Sequence, residues 1–249
     1  MQIIKPTIVL ILLFFTVHNS HSNTISYPEY GYTITLPRGW AEIPQAALES
    51  YKKILSKQYP NPEYIDFVKG YQLQSKELFE YPYVFVKIDV SGKFSEQSIR
   101  QATNETISKK VKEMSKGENY PDISKMTTSY DSISHITWST SEVYDNDLGF
   151  INNLIGTKLT ESGFIQFLGY VRKSDIEKYN FIIREMIYSV KLDDNLKYKS
   201  LGINDVSASR GINWEKVVAN SILGGLIAFI YSFTRKNRNR KPYDPRTGR

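Results

Sequence analysis

The run from Val217 to Phe233 contains no charged residue, and a block of Arg, Lys and Asn follows it after one further residue. Few structures accommodate such a segment. As a helix of roughly 17 residues it reaches about 25 Å, close to a hydrocarbon core of about 30 Å. Its apolar residues Ile222, Leu223, Leu226, Ile227, Phe229 and Ile230 point all round the helix, whereas a surface helix of a soluble domain keeps one polar face. Trp214 stands at one border and Tyr231 near the other, at the levels where interfacial aromatics sit. The reading is therefore a transmembrane helix over 214–234, with a hydrophobic helix docked on a soluble domain as the alternative. Arg235, Lys236, Arg238, Arg240 and Lys241 then determine topology, because an excess of basic residues marks the cytoplasmic side. The tail 235–249 is predicted to be cytoplasmic and the region before the helix extracytoplasmic.

The N-terminus gives the same answer independently. Lys5, an apolar stretch from Ile8 to Val17 and small residues at Ser20 and Ser22 read as a signal peptide over 1–22, with Asn23 as the mature start. The chain has no cysteine, so neither lipid attachment through cysteine nor a disulfide framework is available to it. Attachment to membrane lipid falls to the apolar run itself. Within that run, Ser221 and Gly225 form one small-residue pair and Gly224 and Ala228 another, each four apart. Such rows let a second helix approach closely, which allows self-association or a lateral partner. The tail is too polar to fold alone and suits contact with anionic headgroups.

The net charge of +6 resembles that of a nucleic-acid binder until it is located. Asn23 to Arg210 carries 23 Lys plus Arg against 24 Asp plus Glu, while the tail beyond Thr234 holds seven basic residues against Asp244 alone. The excess belongs to the tail, and no basic stripe marks the rest as a nucleic-acid surface.

Residues 23–193 carry the pattern of a folded domain, and 194–213 have the Asn, Ser and Gly content of a linker. Tyr32, Ile34 and Leu36 alternate with threonines before a turn at Pro37-Arg38-Gly39, after which Trp40 is apolar. Pro44 opens a helix to about Gln58 along Ala47, Leu48, Tyr51, Ile54 and Leu55. Strands are expected over Gln72–Leu78 and Tyr83–Val90, then one long helix from an N-cap at Ser95 to Ser115. Three further strands fit Ser132–Val143, Gly156–Glu161 and Phe164–Val171, with Ser162-Gly163 as a tight connection. Ser174 and Glu177 have capping-box spacing for a last helix, buried along Ile176, Tyr179, Ile183, Met186, Ile187 and Val190. The order predicts an α+β fold, a central antiparallel sheet flanked by helices.

The segment "YTITLPRGWAEI" resembles the opening of PsbP-like and Mog1-like domains, and "SDIEKYNFIIREMIYSVKL", with Ser189 near its end, is similar to their closing helix. The resemblance implies a flanked antiparallel sheet used for protein binding or as an accessory of membrane complexes. It transfers no functional residue.

No catalytic, cofactor-binding or metal-ligating set is assigned. His135 is the single histidine after residue 22. Ser134 and Thr137 lie close in sequence, but no nucleophile elbow or spaced acid accompanies them. Asp145 and Asp147 begin like a calcium loop yet lack its terminal glutamate. The aromatics Tyr71, Phe79, Tyr81, Tyr83 and Phe85 fit either a partner surface or strand packing, the latter being favoured. The expectation is a single-pass protein whose outer domain binds another protein or serves an envelope complex. An anchored hydrolase and a small-ligand binder with a cleft beside the sheet are the alternatives.

Overall fold

A computed structural model describes residues 22–58, 65–74, 77–101, 104–114, 123–145, 149–200, 214 and 217–218. Its centre is a hairpin of β8 (Gly149–Thr160) and β9 (Gly163–Arg172), paired in register from Ile151↔Arg172 to Thr160↔Gly163. Alternate side chains of a strand point to opposite faces, and these two strands are buried on both. Ile151, Ile155, Leu159, Phe164 and Leu168 face one core, while Leu154, Ile165, Phe167 and Val171 face another. Two covering layers follow from that.

The hairpin lies inside a seven-stranded antiparallel sheet of order β3-β4-β5-β9-β8-β7-β6, which adds β3 (Trp40–Glu42), β4 (Lys69–Leu73), β5 (Tyr83–Asp89), β6 (Ile123–Asp131) and β7 (Ile136–Asp145). On one side, α1 (Gln45–Gln58), α2 (Glu96–Gln101) and α3 (Asn104–Met114) supply Leu48, Tyr51, Leu55, Ile99, Ile107 and Val111. The other side is covered by α4 (Ile176–Tyr188) and a three-stranded sheet of β1 (Asn23–Tyr27), β2 (Tyr32–Leu36) and β10 (Lys191–Leu192) in order β1-β2-β10. Ser189 ties the two parts of this second cover together: it accepts from the Thr35 N–H at 3.0 Å and donates to the Thr35 carbonyl at 3.2 Å. The α+β class and the flanked antiparallel sheet are as expected from sequence.

Several local expectations shift. The expected long helix is seen as α2 and α3 on either side of residues 102–103, which lie outside the described residues, and Ser95 caps it, its Oγ accepting from the Ser98 N–H at 3.2 Å. The capping box before α4 does not form. Ser174 lies in a 3-10 turn, Lys173–Asp175, and Asp175 takes the cap position without a side-chain bond to the helix. The region Ser132–Val143 spans a turn, with His135 in it at φ 52°. Strand β6 was not expected at all. It is the sheet edge, and its Thr, Ser and Lys show none of the apolar alternation that marks a buried strand. After residue 193 the chain stays on the domain where a linker was anticipated: Tyr198 is buried, and the Lys199 N–H donates to Glu161 at 2.6 Å.

Two glycines are dictated by close approach. At Gly156 a Cβ would come within 2.8 Å of the Trp138 ring and 2.9 Å of Ile187, so only a bare backbone lets α4 sit this close. Gly163, at φ 154°, would place a Cβ on the Asp89 carbonyl oxygen. Gly163→Ala is therefore expected to lower unfolding free energy by about 3 kcal/mol or more. Gly39→Ala, at φ 78° with open space around it, should cost only about 1 kcal/mol of backbone strain. Urea titration of the two variants checks the contrast.

Candidate functional site

The aromatic run singled out in the sequence is interior. Tyr71, Phe79, Tyr83 and Phe85 are all buried, with Phe67 and Phe85 stacked at 4.5 Å and Tyr51 and Phe79 at 4.4 Å. Large apolar groups reach solvent elsewhere. Phe181 is 65% exposed, Tyr188 43%, Tyr144 48%, Phe150 39% and Ile133 94%; Leu78 at 45% and Val90 at 75% lie apart from them in sequence.

Strand alternation and helix pitch bring Phe181, Tyr188, Tyr144 and Phe150 to the α4 side, and the Tyr188–Asp131 hydrogen bond brings the turn that carries Ile133 beside α4. Along β7, Ile136 and Trp138 belong to the core beneath α4, so Thr140, Glu142 and Tyr144 lie on the same face. On β8, Phe150 and Asn152 share it, and Asn152 Nδ2 donates to Asn180 Oδ1 of α4 at 3.3 Å. Helix α4 buries Ile183, Met186 and Ile187 and presents Phe181, Arg184 and Tyr188 along a stripe of spacing three and four. The Arg184 guanidinium lies 4.3 Å over the Trp138 ring, and the Tyr188 ring lies 5.4 Å from it. Tyr144 and Phe150 meet edge to face at 5.0 Å, with Lys173 Nζ 4.4 Å over Phe150. The result is a shelf: a Thr140 and Thr127 hydroxyl floor, joined at 2.6 Å, with aromatic groups at each end and α4 as its wall. Glu142 is held there by Lys125 at 3.0 Å and Lys173 at 3.8 Å.

The turn between β6 and β7 closes one end. Asp131 accepts from the Ile133 N–H at 3.0 Å, from the Ser134 hydroxyl, and from the Tyr188 hydroxyl at 3.3 Å. The Ser134 hydroxyl above all holds the Asp131 carboxyl below the usual carboxylate range. Lys158 lies beneath, donating to the Ser134 carbonyl at 3.4 Å, and burial lowers its pKa. A depressed carboxylate contributes stability in full above its unfolded pKa of about 3.9 and loses it as pH falls through the folded value. The Tyr188–Trp138 contact is expected to loosen in that acid window, seen by tryptophan fluorescence, and Asp131→Asn should remove the transition.

Ser134 is thus committed to Asp131 and not to the adjacent histidine. His135 Nδ1 lies 3.1 Å from the Tyr130 hydroxyl and 3.6 Å from Glu96, and its ring is 4.9 Å from Tyr198. Burial, then Glu96, raises the Tyr130 phenol, and burial pushes Tyr198 up to about 12. This group joins α2, the turn and the segment after β10.

No protein-family model matches the chain, and no curated protein matches it. A solved structure does resemble it. This is the solution structure of cyanobacterial PsbP (CyanoP) from Synechocystis sp. PCC 6803, with a TM-score of 0.45 and 11% identity over 71% of this chain and 95% of that one. It names the same kind of domain as the PsbP-like resemblance read from sequence. At this identity it carries no residue role, partner or activity to this chain.

Trp214 is packed against the domain. Its ring packs edge to face on Phe94 at 5.2 Å and on Phe164 at 6.4 Å, and Val218, one turn on, is buried as well. Among the described residues no helix is long and apolar enough to cross a membrane. Ser221, Gly224, Gly225, Ala228 and Tyr231 lie outside the described residues, as do Arg235, Lys236, Arg238, Arg240, Lys241 and the segment 1–21. Phe181, Arg184, Tyr188 and Trp138 were not singled out in the sequence. An aromatic on the face of α4 opposite Ile183 and Ile187 was the available signal. Trp214→Ala is expected to cost about 3 kcal/mol or more, the usual loss for a buried tryptophan, read from urea denaturation of the full chain in detergent.

Proposed function

We propose that the chain is a protein-binding module held at the outer face of a membrane, and that the shelf bounded by α4 and β7 is its docking surface. The observation that carries this reading is the gathering of Phe181, Tyr188, Ile133, Tyr144 and Phe150 on one side of the molecule. Isolated exposed apolar residues are ordinary, whereas a grouped patch with a polar floor has the make-up of an interface. Trp, Tyr and Arg dominate interface energetics, and Tyr188 and Arg184 are already held against the buried Trp138 ring before any partner arrives. That pre-ordering lowers the cost of binding. The apolar run 217–233, flanked by its basic block, supports membrane attachment with the tail in the cytoplasm, and the N-terminal segment 1–22 supports export of the domain.

Phe181→Ala removes a side chain that contributes little to folding, so its thermal midpoint should match that of the unaltered protein. Recovery of a crosslinked partner from native membranes should fall about tenfold. Equal recovery by the two proteins would refute the shelf as the docking surface. Added protease should cleave the tail 235–249 only after the membrane is opened. Cleavage of the tail in intact cells would reverse the assigned orientation.

A further inference from the structure

The face of the main sheet turned toward α1, α2 and α3 carries more polar groups than a core ordinarily holds. Thr137, Ser139, Ser141, Asn153, Thr157 and Gln166 are all buried on it. Part of this set is internally paired: Gln166 Nε2 donates to Thr157 Oγ1 at 2.9 Å, and Asn153 Nδ2 to Ser141 Oγ at 3.5 Å. Another part is not. The Tyr170 hydroxyl, Asn153 Oδ1 and Arg172 Nε are buried atoms with no hydrogen-bond partner among the described residues.

These three lie together. The register runs Tyr83↔Tyr170↔Asn153↔Ser141 across four adjacent strands, and Arg172 follows Tyr170 on the same face. Tyr170 is 1% exposed and Asn153 2%. The Tyr83 and Tyr170 rings pack at 4.8 Å, Tyr81 stacks on Tyr83 at 5.1 Å, and the Arg172 guanidinium lies 5.9 Å from Tyr81. No carboxylate among the described residues pairs with Arg172. Burial drives the Tyr170 phenol far up, so it remains an O–H group. Buried polar groups in folded proteins are nearly always satisfied, and an adjoining set left open calls for a partner from outside the chain.

We propose that this end of the inner sheet face binds a small monocarboxylate bearing a hydroxyl or amino group. Arg172 and Tyr170 donate to its carboxylate, and Asn153 Oδ1 accepts from its hydroxyl or ammonium. The single positive charge of Arg172, whose Nε has no partner, matches one negative charge. Lys173, the next cation along the strand, is held by Glu142 and Phe150 on the opposite face, so the doubly charged phosphate group lacks a second counter-charge. The site lies across the sheet from the aromatic shelf, and the two assignments fail separately.

Calorimetric titration of the full chain in detergent micelles with glycine, glycolate, acetate and methyl glycolate tests it. Glycine and glycolate should bind saturably, acetate about tenfold more weakly for want of the donor, and methyl glycolate without measurable heat. Arg172→Gln should abolish binding. Tyr170→Phe should weaken it about tenfold and raise the thermal midpoint of the ligand-free protein, since it removes a buried hydroxyl that has no partner. Lys178→Ala on α4 should change neither. Absence of saturable heat with both acids, affinity unchanged in Arg172→Gln, or a Tyr170→Phe protein of lower thermal midpoint would each overturn the assignment. The last result would show that ordered water already satisfies the hydroxyl.

Discussion

A β-hairpin buried on both faces cannot stand without two covers, and that constraint organises the molecule. Strands β8 and β9 are buried on both sides over nearly their whole length. Helices α1–α3 close one side, while α4 with the small sheet β1-β2-β10 closes the other. The second cover is incomplete. Helix α4 sits over β8 and β9 on Gly156, and its outer stripe overlooks the part of β7 and β6 that no other described element covers. The exposed aromatic face is thus a consequence of where one helix must lie.

The same logic bears on attachment. Tyr198 donates to the Phe94 carbonyl at 2.7 Å, and Trp214 packs on the Phe94 ring. Tyr198 and Trp214 therefore meet the same residue of the core. Val218, in the first residues of the apolar run, is buried on the same core.

Legibility from sequence followed burial. Strands β2, β5 and β9 and helices α1 and α4 were readable because one stripe of each is apolar and its period is clear, as with Ile183, Met186 and Ile187. Edge strand β6 was hidden because its residues answer to solvent and to one neighbour only. Ser174 has capping-box spacing, yet the chain must first turn away from β9, and a 3-10 turn consumes the residue. Trp214 has an identical local sequence whether it meets lipid or Phe94, since the ring it packs on lies 120 residues away in the chain. The shelf was least legible: Phe181, Arg184 and Tyr188 are individually ordinary, and only the distances to Trp138 and Asp131 make them one surface.

Those distances also separate two kinds of surface on the domain. Among the described residues, α1 shows solvent polar side chains such as Lys53, whereas the α4 side shows aromatic rings in tilted and edge-to-face contact. A partner that reads the domain through desolvated aromatics has one side to choose. The most direct test places a photoreactive amino acid at position 181 in the full chain, with the same group at position 53 on α1 as the comparison, in native membranes. The account predicts a discrete protein adduct from position 181 and none from position 53. Adducts from position 53 alone, or no adduct from position 181, would contradict it.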